Sequence, residues 1–152
     1  MKIIDVKVLK FHAVSNVVRD SEFHTHPGPK HDTVEKVLVI KCDDGTEGIA
    51  FGPMDERVIL STVKEILIGE DPFFRERIWR RLVQLQRLRR NLTEDTLCAV
   101  DVAIWDICGK KLDVPISKIL GQYRETVPAY ASIMVGDDIP GGLDTPSSYA
   151  AF

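Results

Sequence analysis

The sequence predicts an α+β fold in which a three-stranded antiparallel meander is followed by a bundle of helices. Three observations predict it: two runs of β-branched residues near the N-terminus, an Asp-Gly turn after the second run, and apolar residues at helical spacing from residue 55 onward. With 152 residues, 44% of them hydrophobic and 28% charged, the composition is that of a globular domain with a core.

The predicted strands lie within the first 51 residues. Residues 3–13 and 33–42 carry β-branched residues in partial alternation, and the turn sequence DDG precedes a returning strand at 47–51. Asp-Gly between two strand-like runs is a strong hairpin signal, because glycine tolerates the positive φ that such turns need. Residues 14–32 are expected to form a long loop.

Four helices are predicted after Gly52-Pro53. The first covers 55–67, and the second begins at Asp71-Pro72, where aspartate caps the helix and proline takes the first helical position. The third runs from 93 to about 112 and is apolar on nearly every side, which is typical of a helix buried between layers. The fourth covers 115–120. The second helix is expected to turn its arginines outward and to bury seven apolar residues: Phe73, Phe74, Ile78, Trp79, Leu82, Leu85 and Leu88.

The C-terminal residues read as a strand at 127–132, a loop at 136–144 and a helix start at Thr145-Pro146. A helix signalled in this way is expected to run for eight residues or more. About seven remain before Phe152. We therefore expect that the chain is interrupted here.

Charge and cysteine content exclude several classes of protein. A net charge of -3 argues against a general nucleic-acid or lipid-surface binder, and no apolar run is long enough for a signal peptide or membrane span, so a cytoplasmic location is expected. Cys42, Cys98 and Cys108 are odd in number and lack C-x-x-C spacing, which indicates neither a disulfide framework nor a zinc site. We expect Cys98 and Cys108 to be buried free thiols.

Two carboxylates, Asp101 and Asp106, interrupt the apolar third helix. Five positions separate them, which places them on different faces, so they do not readily share a metal or form an acid/base pair. A buried carboxylate needs a cationic or N–H partner, and the arginines of the second helix are the candidates. The structural interpretation is favoured over the catalytic one.

The segment FHTHPGPKH carries His24, His26 and His31. Three interpretations are open: a plain surface loop, a histidine-bearing lid that contacts an anionic substrate, or a transition-metal site. The Pro-Gly-Pro sequence and the irregular ligand spacing count against the metal. Asp43 and Asp44 also resemble a metal pair, but a hairpin turn accounts for them better.

Several ordered motifs together resemble one family. DDGTEGIAFG, IGEDPFFRERIW, AVDVAIWDICGK and YRETVPAYAS are similar to the N-terminal portion of the mandelate racemase and muconate lactonizing enzyme branch of the enolase superfamily. The resemblance implies an enolase-type capping domain at 1–125, and at 126–152 the first strand and the start of the first helix of a truncated β/α barrel, which needs roughly 200 residues or more when complete.

The resemblance also implies chemistry. Racemases, epimerases and dehydratases of this kind abstract a proton α to a carboxylate, with a Lys or His base and Mg²⁺. Those groups lie on later barrel strands, so no metal ligand and no general base are assigned here, and this polypeptide alone is expected to be inactive. The resemblance further implies a small carboxylate substrate and a homo-oligomer, while the net charge of -3 and the short apolar runs predict no nucleic-acid or membrane partner.

Substrate contact is what the resemblance assigns to this chain. Two mobile loops, at 12–32 and 51–55, would close over the barrel mouth and exclude water. The substrate-binding candidates are His24, His26, Phe51, Ser132 and Met134. The alternative is a non-catalytic module that uses the same fold alone for binding or oligomerisation. An isolated chain with a bare barrel strand is also expected to bind hydrophobic dyes or to self-associate.

Overall fold

This computed structural model describes residues 1–19, 21, 25–129 and 145–147, with only the backbone of residues 25–27. Most residues of the N-terminal third belong to a three-stranded sheet. The strands are β1 (Ile3–Arg19), β2 (Thr25–Cys42) and β3 (Glu47–Phe51) in the order β1-β2-β3. Two compact units divide the chain, Met1–Phe11 with Glu35–Tyr123 and His12–Val34 with Arg124–Phe152. The predicted domain division at 125/126 stays a prediction.

The register of β2 and β3 decides which residues enter the core. Val37 lies opposite Phe51 and Leu38 opposite Ala50 in an antiparallel ladder. Because side chains alternate along a strand, Leu38 and Ala50 point to the helices, and both are buried. The predicted turn is confirmed, with Gly45 at φ +87° between the two strands.

The long loop predicted for residues 14–32 is wrong, since residues 14–19 and 25–32 belong to two strands and, of the described residues in this segment, residue 21 is in a turn. β1 continues to Arg19 and β2 begins at Thr25. Two prolines, at 27 and 29, favoured the loop, yet β3 pairs only with residues 37–41 of β2. Proline, which lacks an N–H, is tolerated in a strand where no neighbour needs that donor.

The helices follow the predicted order. Asp55 caps the first through the Val58 N–H, and the chain then runs as α1 (Glu56–Val58), a π-helical turn (Ile59–Val63) and α2 (Lys64–Leu67). Asp71 caps a 3₁₀ turn, Pro72–Phe74, that leads into α3. The remaining helices are α3 (Arg75–Leu88), α4 (Glu94–Leu112) and α5 (Ile116–Ile119).

The predicted burial of α3 is only partly confirmed. Ile78 and Leu82 are buried, whereas Phe73, Phe74 and Leu88 are exposed. The 3₁₀ turn has three residues per turn instead of 3.6, so the two phenylalanines do not continue the apolar stripe of the helix. Leu88 is the last residue of α3.

α4 packs against β3 and supplies much of the core, but it is not buried on all sides as predicted. Cys98 is exposed, and so is Val102 one turn later on the same face. The prediction of a buried thiol is therefore wrong for Cys98 and confirmed for Cys108, whose pKa burial raises. Burial likewise raises the pKa of Cys42, to about 11.

The C-terminal predictions fall largely outside the described residues. Residues 127–129 are described and form no strand, and residues 130–132 of the predicted barrel strand lie beyond them. Pro146 and Ser147 are helical, as the predicted helix start requires. The barrel strand and the loop at 136–144 stay predictions.

Candidate functional site

Phe51 is the one sequence-predicted site residue whose side chain the structure describes. It ends β3 and is 76% exposed. His26 lies in β2, where the structure describes its backbone but not its side chain. His24, Ser132 and Met134 lie outside the described residues. Their roles stay predictions from the resemblance.

Residues 51–55, which we call the capping segment, connect β3 to the first helix. Gly52 has φ +125°, a backbone conformation that side-chain-bearing residues rarely adopt, so a glycine is needed where the chain leaves the sheet. Met54 is buried, and the Asp55 carboxylate accepts the Val58 N–H. The segment therefore has an exposed tip and a buried base.

Two side chains from different elements hold that base. The Lys36 Nζ, on β2, donates to the Met54 carbonyl at 3.0 Å. The Asp55 N–H donates to the Thr96 Oγ1, on α4, also at 3.0 Å. Sequence analysis assigned no role to either residue. A threonine among apolar residues near the start of a buried helix was the available signal for Thr96, while Lys36 carried none.

An open cleft of about 550 Å³ lies beside the capping segment. Its charged lining residues are of both signs: Lys36, Asp55, Glu56, Arg57 and Asp95. Glu56 also pairs with Lys10 on β1. This mixture distinguishes the cleft from a cation site, because hard cations require several converging oxygen ligands.

Residues 25–31 of the histidine-rich segment lie in β2. Gly28 is closely packed, since a Cβ there would lie 2.5 Å from Val18 Cγ1. The exposed His31 ring lies with Nδ1 3.1 Å from the Pro29 carbonyl. Residues 12–19 and 25–32 of the first predicted capping loop are thus strand and not loop.

Asp106 has a structural role at the edge of the sheet. Its carboxylate accepts the Ile49 N–H at 2.8 Å and pairs with Lys110 at 2.6 Å. Lys110 in turn donates to the Glu47 carbonyl at 2.9 Å. α4 thereby covers polar groups of β3 that face away from β2, which protects an otherwise open strand edge.

Asp101 pairs with the second helix, as predicted. Its Oδ1 lies 3.6 Å from Arg75 Nη1, and the guanidinium also stacks on Trp105, 4.0 Å from the ring centroid. Burial raises the pKa of Asp101, and Arg75 partly opposes that rise. The structural interpretation of both aspartates is confirmed, but only Asp101 has an arginine partner.

The strongly shifted carboxyl groups elsewhere also belong to structural ion pairs. Hydrogen bonds from Lys64 and Lys7 lower the pKa of Asp5 to about 2. A bond from Lys111 lowers the pKa of Asp44 to about 2, while Asp44 also accepts the Thr46 N–H within the turn. The hairpin interpretation of this aspartate is therefore confirmed.

Two further features of the described residues are the arrangement of their metal-ligating side chains and the length and polarity of their helices. Among the described side chains, no group of three or more His, Cys, Asp or Glu is placed to hold a metal ion. Within the described part of the chain, every helix is too short or too polar to cross a membrane.

The sequence of this chain is similar to a known family profile and to several known proteins. The sequence profile of the mandelate racemase / muconate lactonizing enzyme N-terminal domain matches residues 13–121. A D-galactarolactone cycloisomerase of Agrobacterium fabrum is 39% identical over 110 residues, which are 68% of this chain and 29% of that protein. A D-galactonate dehydratase family member of Pseudarthrobacter chlorophenolicus is 34% identical over 116 residues, 71% of this chain and 28% of that protein.

A solved structure agrees over nearly the whole chain. The crystal structure of D-glucarate dehydratase from Agrobacterium tumefaciens, complexed with magnesium, has a TM-score of 0.87 and 42% identity, and the match covers 99% of this chain and 40% of that one. This chain thus spans about three tenths of the length of the two relatives above. It belongs to the mandelate racemase / muconate lactonizing enzyme N-terminal domain family, within the enolase superfamily.

Proposed function

We propose that this chain is the substrate-capping domain of a Mg²⁺-dependent enzyme that abstracts a proton α to the carboxylate of a sugar acid. The observation that carries the proposal is the 42% identity over 99% of the chain to D-glucarate dehydratase. The named relatives, a galactarolactone cycloisomerase and a galactonate dehydratase family member, support the same substrate class. Dehydration is the favoured reaction.

The proposed reaction loses water from a hydroxy acid. The proton α to the carboxylate leaves to a base, the hydroxide on the β carbon departs, and the resulting enol becomes a 2-keto-3-deoxy acid. Among the described residues no group of three or more His, Cys, Asp or Glu could hold Mg²⁺, so we assign neither the metal nor the base to this domain. Both belong to the catalytic barrel that the family implies.

The contribution of this chain is substrate contact and the exclusion of water. Phe51 supports this role because an aromatic side chain that is 76% exposed at a strand end has apolar surface available for a ligand or a neighbouring domain. We extend the role to His24, His26, Ser132 and Met134 on the family resemblance. Excluding water strengthens the electrostatic interactions on which such chemistry depends.

The test is an assay of the complete gene product. The protein is incubated with Mg²⁺ and, separately, D-glucarate, galactarate and D-galactonate, and 2-keto acid is measured as its semicarbazone. We expect product with at least one acid, its loss after treatment with EDTA, and none from residues 1–125 alone. A complete gene product that binds these acids without turning any over would favour the non-catalytic alternative. Homo-oligomerisation and a cytoplasmic location stay predictions.

A further inference from the structure

The peptide group that joins Met54 to Asp55 is held at both of its polar atoms. Its oxygen accepts from Lys36 Nζ at 3.0 Å, and its N–H donates to Thr96 Oγ1 at 3.0 Å. The two partners lie on β2 and α4, so the base of the capping segment is tied to the sheet and to the helix at once.

The Thr96 side of this arrangement is inaccessible to water. Thr96 is fully buried, and its hydroxyl also meets the Thr93 hydroxyl at 3.1 Å. Thr93 caps α4 by accepting the Thr96 N–H. The hydrogen bond from the Asp55 N–H is partly buried, and its acceptor, the Thr96 hydroxyl, is shut off from water, so loss of this bond would leave a buried acceptor with one partner fewer.

The Lys36 side holds the segment against β2, the neighbour of the strand from which the segment departs. Val37, the next residue of β2, lies opposite Phe51 in the ladder. The chain therefore leaves the sheet at Phe51 and is bound again, three residues later, by the neighbour of Phe51's cross-strand partner. Hydrogen bonds from a charged donor are roughly twice as strong as those from a neutral donor. The charged ammonium of Lys36 is therefore a stronger donor to the Met54 carbonyl than a neutral side chain would be.

We propose that Lys36 is a positioning residue, which together with Thr96 fixes the capping segment and so sets where Phe51 meets the substrate. The inference rests on the proposed function for the substrate, but the fixing of the segment does not depend on it. A segment held at this peptide moves with the sheet and α4 instead of moving alone. The contact is to a backbone oxygen, so an arginine donor should replace lysine but a methionine should not.

Amide hydrogen exchange in the chain tests the fixing directly, because the Asp55 amide belongs to the held peptide. We expect Lys36→Met to speed Asp55 exchange about tenfold relative to the core amide of Ile104, and Lys36→Arg to leave the ratio unchanged. Thr96→Val should act like Lys36→Met. Lys41→Met is the matched control, since Lys41 is on the same strand and its ammonium lies 3.6 Å from the exposed Glu47.

The ratio to Ile104 separates local release from a general loss of stability, which would speed both amides together. An Asp55-to-Ile104 ratio that stays within twofold of wild type in Lys36→Met overturns the inference. In the complete enzyme, Lys36→Met should raise KM for the sugar acid about fivefold with kcat within twofold, and Lys36→Arg should restore KM. An active wild type with unchanged KM in Lys36→Met overturns the positioning role. If the complete wild-type enzyme is inactive, the proposed function is wrong. The Asp55 hydrogen-exchange ratio then still tests whether Lys36 fixes the capping segment.

Discussion

The sheet and the helices approach each other very closely at Gly48, which gives a prediction with a calculable size. A Cβ at this position would lie 2.0 Å from the Ala103 carbonyl oxygen and 2.6 Å from Ile107 Cγ1. Ordinary contacts begin at 3.4 Å, so β3 would have to move by about 1.4 Å from α4. The nearest obstacle is backbone, which a rotamer change cannot remove.

We therefore expect Gly48→Ala to destabilise the domain by about 3 kcal/mol, the upper end of the usual overpacking range. This is a large share of a total stability of about 5–15 kcal/mol. With a urea slope of about 2 kcal/mol/M, the unfolding midpoint falls by about 1.5 M, which circular dichroism during a urea titration measures.

Gly45→Ala is the matched control, because Gly45 has positive φ but a Cβ added there would meet nothing within 4 Å. Its cost should be the left-handed backbone penalty alone, about 1–2 kcal/mol. Adding Ile107→Val to Gly48→Ala should not restore stability, since valine keeps the Cγ1 atom and the contact with the Ala103 oxygen also remains. A Gly48→Ala variant no less stable than Gly45→Ala would refute the close packing of β3 on α4.

Three further predictions concern the sheet edge, acid stability and the capping segment. Asp106→Ala should cost about 1–3 kcal/mol in urea unfolding, because a β3 N–H and an ion pair lose their partner; an unchanged midpoint would contradict the edge role. The folded-state pKa of Asp5 lies at about 2, below its ordinary 3.8, so its pairing with Lys64 stabilises the fold above about pH 4 and is lost as pH falls toward 2. Asp5→Asn should flatten that part of the stability-pH curve, and an unaltered slope would count against it. Phe51→Ala should leave the melting temperature unchanged and raise KM for the sugar acid severalfold, whereas Phe73→Ala, at another exposed phenylalanine, should change neither; equal effects of the two would remove the special role of Phe51.

Local rules explain what could be predicted from the sequence. The Asp-Gly turn and the helix starts at Asp55 and Asp71 depend on residues within three positions of one another, and each is confirmed. Such features require no knowledge of distant parts of the chain.

The errors came from effects that adjacent residues do not encode. The extension of β1 to Arg19 and the early start of β2 at Thr25 depend on which strand lies on each side, and that information is not local. Phe73 and Phe74 were misplaced because a 3₁₀ turn changes the helical phase. Cys98 was misplaced because an apolar stretch does not reveal which face of α4 the rest of the domain covers.

The candidate site was predictable only in part, and only through resemblance. Phe51 was identified from the family, and its exposure is what a substrate-contacting residue needs. The role of Lys36 could not be predicted, because its partner is a backbone carbonyl 18 residues away. Every residue has such a carbonyl, so the residue type at position 54 gives no sign of the contact. Thr96 was recognisable as a polar residue among apolar ones, but the sequence did not indicate that its partner is the Asp55 N–H.

The central claim is that this domain caps a catalytic barrel and has no proton-transfer chemistry of its own. The most direct measurement is proton NMR of D-glucarate in deuterated buffer with Mg²⁺, which records loss of the hydrogen α to the carboxylate. We predict that the complete gene product removes that hydrogen and that the purified 152-residue chain leaves it untouched. Removal of the hydrogen by the 152-residue chain alone would contradict the account.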